Sequence, residues 1–194
     1  MSSASKFIDF FVHDLLDYTI LNKDATNFIK NPTVFDIHTS LTEMCQILED
    51  KSSMKNITID IKYHGFNNSD TVVKSDKKRM QQVILNLMSN ALKFTDRDGK
   101  IMLLVEKLNR ENAEFLRISV VDSGVGIKKE DQGRLFKMFG SIKDEGKKIN
   151  VHGVGLGLVI CKMIVNKFDG HIDFVSKYGK GSTFFFTMKL DQID

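Results

Sequence analysis

The sequence predicts a two-layer α/β sandwich, a mixed, mostly antiparallel sheet covered by three helices on one face. Three observations lead there. Short runs alternate apolar and polar residues, and several are joined by turns too short for a crossover. Longer segments between them repeat apolar residues at helical spacing. Each of those helices has one apolar stripe, which a single sheet face suffices to bury.

The elements follow in order. Residues 4–22 read as a helix, with Phe7, Phe10, Phe11, Leu15, Tyr18 and Ile20 roughly on its period and Asn22-Lys23-Asp24 ending it. Residues 25–32 contain the only proline, Pro32, and read as a linker, so the main domain is expected over 33–194. Val34 to Ile37 reads as a short strand, and a helix is expected from about Thr39, with Leu41, Met44, Cys45 and Leu48 on one face. Ile57 to Tyr63 alternates as a half-buried strand does. Gly65 to Asp70 is turn-like, and Thr71 to Lys74 is another strand.

A long helix is expected from about Lys77 to Phe94, capped by Ser75 or Asp76. Strands at about 100–109 and 115–122 follow, joined by a polar turn at Asn109-Arg110-Glu111-Asn112. Residues 123–153 are rich in glycine and lysine and show little period. A helix from about Val154 to Phe168 stops at Gly170, read as a left-handed cap. Strands at about 171–176 and 182–190 then form a hairpin around Tyr178-Gly179-Lys180-Gly181.

Composition narrows the function classes. The 194 residues suit one domain with a small appendage, and 42% hydrophobic content supports a core. A net charge of +3, from 28 basic and 25 acidic residues, does not argue for nucleic acid or an anionic membrane, so neither is an expected partner. No stretch approaches a membrane span, and the N-terminus does not resemble a signal peptide. Cys45 and Cys161 sit in apolar helical patterns and read as reduced core residues, which fits a cytoplasmic location.

Chemistry concentrates in a few segments. In the helix around 80–94, Met80, Val83, Ile84, Leu87, Met88 and Ala91 form the buried stripe. Asn86, Asn90 and Lys93 fall within an arc of roughly 60° well away from it, at about 100° per residue. They are either a solvated polar face or a metal–phosphate site, since amide oxygens suit Mg²⁺ and an ammonium neutralises phosphate. Asp122-Ser123-Gly124-Val125-Gly126-Ile127 follows an apolar strand, and a carboxylate there can accept from an exocyclic amine but not from a carbonyl. Gly153-Val154-Gly155-Leu156-Gly157-Leu158 opens the next helix, whose free N–H groups favour phosphate. Either cluster alone can also be a plain turn. The dinucleotide fingerprint fails because Lys129 stands three residues after Gly126, and the P-loop fails because Phe174 stands where Gly179-Lys180 would need a glycine. Gly179-Lys180-Gly181-Ser182-Thr183 therefore reads as a hairpin turn whose Thr183 can line a pocket.

Taken in order, these segments resemble the catalytic and ATP-binding domain of sensor histidine kinases, in the superfamily that includes gyrase, MutL and a heat-shock chaperone. Asn86-Leu-Met-Ser-Asn90-Ala-Leu-Lys93-Phe94-Thr95 resembles the asparagine box, and Asp122-Ser-Gly124-Val-Gly126-Ile127 the first glycine box. Phe136-Lys-Met-Phe139 resembles the phenylalanine box, Gly153-Val-Gly155-Leu-Gly157-Leu158 the second glycine box, and Gly179-Lys-Gly181-Ser-Thr183-Phe the final glycine-rich turn. The resemblance covers about residues 33–190.

The resemblance implies ATP and Mg²⁺ as cofactors. Asn90 would coordinate the metal with Asn86 beside it near the phosphates, and Lys93 would touch the phosphate chain. Asp122 would accept the adenine amino group, and Gly126 would let the ring approach. Residues 127–153 would form a lid. Within it Lys143, Lys147, Lys148 and His152 can reach phosphates, but read more simply as exposed. Members of the superfamily that hydrolyse ATP place Glu four residues before the metal-binding Asn, where this chain has Asn86, a neutral amide that cannot take a proton. Slow hydrolysis and transfer to a protein histidine are therefore expected.

The family's acceptor histidine lies on a dimerisation hairpin. His13-Asp14-Leu15 matches the start of its box, but Leu16 and Tyr18 replace the expected Arg and Pro. Residues 1–24 resemble instead the end of the second dimerisation helix. The acceptor is expected outside this chain, and the chain is expected to be a C-terminal piece of a longer kinase. The parent would be a homodimer that could be membrane-anchored, the piece itself a monomer, and a response-regulator receiver domain the downstream partner. His38, His64 and His171 read as surface residues. The alternative is a nucleotide-binding regulatory or scaffold module without transfer activity.

Overall fold

The computed structural model describes residues 28–66, 71–110, 113–137 and 156–193. Among these the chain runs β1 (Thr33–Asp36), α1 (Ile37–Met54), β2 (Thr58–His64), β3 (Val72–Ser75), α2 (Lys77–Phe94), β4 (Lys100–Arg110), β5 (Ala113–Asp122), α3 (Lys129–Gln132), α4 (Gly157–Lys167), β6 (Ile172–Lys177) and β7 (Gly181–Lys189). The helix expected at 4–22, with His13, and residues 25–27 of the linker fall outside the described residues.

Five strands form one sheet in the order β2-β4-β5-β7-β6. The pairs β4–β5, β5–β7 and β6–β7 are antiparallel, while β2 lies parallel to β4. The parallel pair follows from the chain path, because β3 and α2 intervene between β2 and β4 and bring the chain back in the same direction. β1 and β3 pair with each other as a separate two-stranded ribbon. Alternating hydrophobicity marked these strands but held no information about which partners they take.

Register explains where the core lies. Ile61, Leu103, Val120 and Phe184 stand side by side across four strands, and Tyr63, Val105, Ile118 and Phe186 form the next row. Side chains alternate between faces along a strand, so both rows point to one face. Leu41 and Met44 of α1, Val83, Ile84 and Leu87 of α2, and Ile160 and Ile164 of α4 bury against that face in one cluster. Three helices on one face is the arrangement expected from their single apolar stripes.

Several boundaries differ from the sequence reading. Ile37 begins α1 instead of ending β1, because the Asp36 carboxylate accepts the Thr39 N–H at 2.6 Å and caps the helix there. The cap of α2 is Asp76, whose Oδ1 accepts the Arg79 N–H at 3.1 Å. Its Oδ2 accepts the Asn31 N–H at 3.0 Å, tying the incoming chain to the start of that helix. After α4 the left-handed residue is Asp169, at φ 50°, and not Gly170. Gly170 is required for a different reason, since a Cβ there would run into the Thr187 carbonyl. One helical turn, α3, lies in the stretch that shows little period, being too short to display one. Cys161 is buried and Cys45 half-buried, both as free thiols.

Candidate functional site

The third row of the sheet departs from the apolar pattern. Ile59 and Ile101 continue it, but their neighbours on β5, β7 and β6 are Asp122, Ser182 and Ser176. A carboxylate therefore sits on the helix-facing side of the sheet at the end of a central strand, 8% exposed. Its Oδ1 accepts the N–H groups of Gly124 at 2.9 Å and Ser182 at 3.2 Å. Both bonds fall on the same oxygen, so Oδ2 remains an acceptor for a ligand. Burial pushes the Asp122 carboxyl above the ordinary carboxylate range, and the two backbone donors act against that rise.

The loop after Asp122 is held from both sides. The Val125 N–H donates to the Phe94 carbonyl at 3.2 Å, which links the loop to the last residue of α2. The Gly179 N–H donates to the Val125 carbonyl at 2.7 Å, which links it to the β6–β7 turn. Gly126 has φ 67° and a Cβ there would overlap the Lys177 carbonyl, so this turn requires glycine on two counts. The Ile127 N–H donates to Ser176 Oγ at 2.9 Å, and Gln132 Nε2 at the end of α3 donates to the Ile127 carbonyl at 3.1 Å.

On α2 the Asn90 Nδ2 donates to Asn86 Oδ1 at 3.3 Å, so the arc of polar residues is a contacting pair. This leaves the Asn90 Oδ1 as a hard oxygen of the kind Mg²⁺ takes, alongside ligand phosphates. Among the described residues no group of three His, Cys, Asp or Glu gathers to hold a metal. Lys93 lies one turn further on, its Nζ 5.1 Å from the Phe94 ring centre, and burial lowers its pKa. Gly157 opens α4 directly against the Asn86 side chain, where a Cβ would collide with the amide. The asparagine box and the second glycine box thus meet at one contact.

Phe136 is half-buried, with its ring centre 6.1 Å from that of Phe174, which stacks on Phe184 at 5.4 Å. Leu158 packs against the core. Thr183 lies on the opposite face of the sheet from Asp122, in register with Val121 and Val175, so it does not line this site. Ser182 takes that place. Its hydroxyl is 3.0 Å from that of Ser176, and neither serine stands out in the sequence. Counting strand alternation back from Phe184 and Phe186 is the signal that points to Ser182. Phe139, Gly153, Gly155, Lys143, Lys147, Lys148 and His152 lie outside the described residues. His38, His64 and His171 are exposed, as expected.

The architecture, with its five-stranded, mostly antiparallel sheet under helices and a glycine loop at the end of β5, is that of histidine-kinase catalytic domains. The solved catalytic domain of histidine kinase ThkA superposes with a TM-score of 0.66 at 29% identity, covering 81% of this chain and 95% of that one. The chain belongs to the histidine kinase-, DNA gyrase B- and HSP90-like ATPase family, whose sequence model matches residues 75–192. It is similar to the signal transduction histidine-protein kinase BarA of Escherichia coli K12, 37% identical over 183 residues that make up 93% of this chain and 19% of BarA. The chain thus spans about a fifth of that relative's length. Full-length ShkA in complex with AMPPNP shares the fold, with a TM-score of 0.77 at 24% identity over 94% of this chain and 35% of that one. Among the described residues no helix is long and apolar enough to cross a membrane.

Proposed function

We propose that this chain binds Mg-ATP and donates the γ-phosphoryl group to a histidine on a dimerisation hairpin that lies mostly outside it, as part of two-component signalling. The observation that carries the reading is the Asp122 carboxylate, buried at the end of β5 with its Oδ1 committed to backbone donors. The remaining oxygen accepts the exocyclic amine of adenine, and a guanine carbonyl at that edge would be repelled. Gly126, Ile127, Phe136 and Leu158 border the base, with Ser182 in the role first given to Thr183. Phe94 closes the same end through its carbonyl bond to the glycine loop.

The phosphates run toward α2 and the start of α4, and in this reading Gly157, together with Gly153 and Gly155, gives them backbone N–H groups. Asn90 would hold Mg²⁺ through Oδ1, with Asn86 fixing its amide, and Lys93 balances phosphate charge. Mg²⁺ supplies neutralisation of charge on the transferring group. Transfer breaks the bond between the γ-phosphorus and its bridging oxygen, leaving ADP, and forms a bond to an imidazole nitrogen of the acceptor. Asn86 has no proton-accepting form, so water is not activated and hydrolysis is slow. Residues 1–24 belong to the second dimerisation helix and 25–32 to the linker in this reading, the parent protein is a homodimer, and a receiver domain takes the phosphoryl group on. A ThkA structure in complex with the response regulator TrrA shares this fold, with a TM-score of 0.64 at 24% identity over 97% of this chain and 52% of that one.

The test has two arms. Mg-ATP raises the melting temperature of the chain, and Asp122→Ala abolishes the rise. Labelled ATP then transfers acid-labile phosphate to a separately supplied acceptor hairpin. A wild-type chain that neither shifts nor binds a labelled nucleotide overturns the reading.

A further inference from the structure

Outside the matched region 75–192, one side chain reaches across the fold to the helix that carries Asn86, Asn90 and Lys93. Lys55 caps the C-terminus of α1, and its Nζ donates to three carbonyls of the α2 terminus, Leu92 at 2.7 Å, Lys93 at 3.2 Å and Thr95 at 2.9 Å. The last carbonyls of a helix have no partner within it, and they carry the negative end of its dipole. A half-buried ammonium with all three donors committed to them fixes both their position and their charge. Its neighbour repeats the grip. Asn56 Nδ2 donates to Asp98 Oδ1 at 2.6 Å, and the Asp98 N–H donates to the Lys55 carbonyl at 3.0 Å. The turn after α1 thus clasps the turn after α2.

What lies beyond that turn is the adenine end of the site. Phe94, between two of the gripped carbonyls, gives its own carbonyl to Val125 of the glycine loop. Lys100, at the far end of the turn, exchanges two bonds with Ser123, through the Lys100 N–H to Ser123 Oγ at 2.8 Å and the Ser123 N–H to the Lys100 carbonyl at 3.0 Å. Gly99 also approaches Ser123 so closely that a Cβ would meet its hydroxyl. We infer that Lys55 is a positioning residue for nucleotide binding, holding the α2 terminus so that Lys93 and the Asp122–Ile127 loop keep their relative places. The inference rests on the proposed nucleotide site, and it gives the segment before the matched region a part in that site.

The full 194-residue chain is compared with Lys55→Met, which keeps the stem and removes the donors, and with Lys55→Arg, which restores charge and donors. Affinity for Mg-ATP is read by calorimetry well below each variant's melting temperature, and amide exchange is read residue by residue. Lys55→Met is expected to weaken Mg-ATP binding by about tenfold, given the usual worth of hydrogen bonds to a charged group, with Lys55→Arg recovering most of it. The Val125 and Thr95 amides are expected to exchange faster in Lys55→Met while Leu103 and Ile118 in the sheet keep their rates. Uniform loss of protection at all four amides, or affinity within about twofold of wild type, would mean Lys55 serves only global stability and overturns the inference. If wild type itself does not bind, the proposed function falls with it. The exchange pattern then decides alone whether Lys55 holds the loop.

Discussion

Gly157 at the start of α4 lies flush against the Asn86 amide of α2, with no room for a Cβ between them. Two motifs separated by seventy residues in the chain are therefore one contact, and Asn86 reaches its neighbours on both sides, Asn90 along the helix and Gly157 across it.

Gly157→Ala is expected to push the Asn86 amide aside and to weaken Mg-ATP binding by about tenfold or more, as displaced ligand-orienting groups do. Overpacking of this kind costs about 1–3 kcal/mol of stability. In an Asn86→Ala background the same substitution has space, and alanine's better helix propensity of roughly 0.5–1 kcal/mol should reverse the sign. Urea titration of the four proteins in the cycle measures the coupling.

Gly126→Ala meets two penalties, a left-handed backbone at φ 67° and the Lys177 carbonyl. The left-handed conformation alone costs about 1–2 kcal/mol in an L-residue. Chemical denaturation should show at least that loss. Gly133, exposed and with nothing near its Cβ position, is the control and should tolerate alanine with little change.

Asp122 has a pKa raised by burial above its ordinary value of 3.8. The favourable contribution of its protonated form is complete below the unfolded value and is lost as pH rises through the folded one. Asp122→Asn removes that ionisation cost, so at neutral pH the variant should be at least as stable as wild type, with its advantage shrinking toward pH 3.8. Its Oδ1 keeps the Gly124 and Ser182 donors, which turns a second donor toward the adenine amine. Nucleotide affinity should therefore collapse while the fold holds, a separation that calorimetry and denaturation together detect. In the wild type, affinity should fall with pH as the acceptor oxygen takes a proton.

With Asn86 in the position of a general base, turnover of Mg-ATP to free ADP should stay below about 1 per second, the slow end for enzymes. A coupled ADP assay checks this, and the same sample should gain no acid-labile phosphate on His13.

The sequence carried the helices and the glycine loop well because their causes are local. Asp76 before a run of apolar residues at helical spacing defines α2, and Gly124 and Gly126 after an apolar strand define a sharp turn. Pairing was not legible, since nothing local tells β3 to join β1 or β2 to lie parallel to β4. The same gap affects the serine–threonine pair. The glycines of the turn at 179–183 are a local signal, but the choice between Ser182 and Thr183 depends on which face β7 presents, and that is set by register with β5. Lys55 was invisible for a related reason, because its partners are carbonyls 37–40 residues away.

The parallel seating of β2 on β4 bears on the order in which the molecule assembles. The β4–β5 and β6–β7 hairpins close between near neighbours in the chain, whereas β2 meets β4 only after a long intervening segment has been ordered. Loop-closure entropy makes such a contact late. α1 and its terminal lysine arrive with β2, so the grip on the end of α2 forms after the hairpins, as does the β5–β7 pairing, which closes a longer segment still. A nascent or partly unfolded chain would then hold its hairpins without a finished ligand end, and competence to take up nucleotide would report that the whole domain, not merely its sheet, has folded.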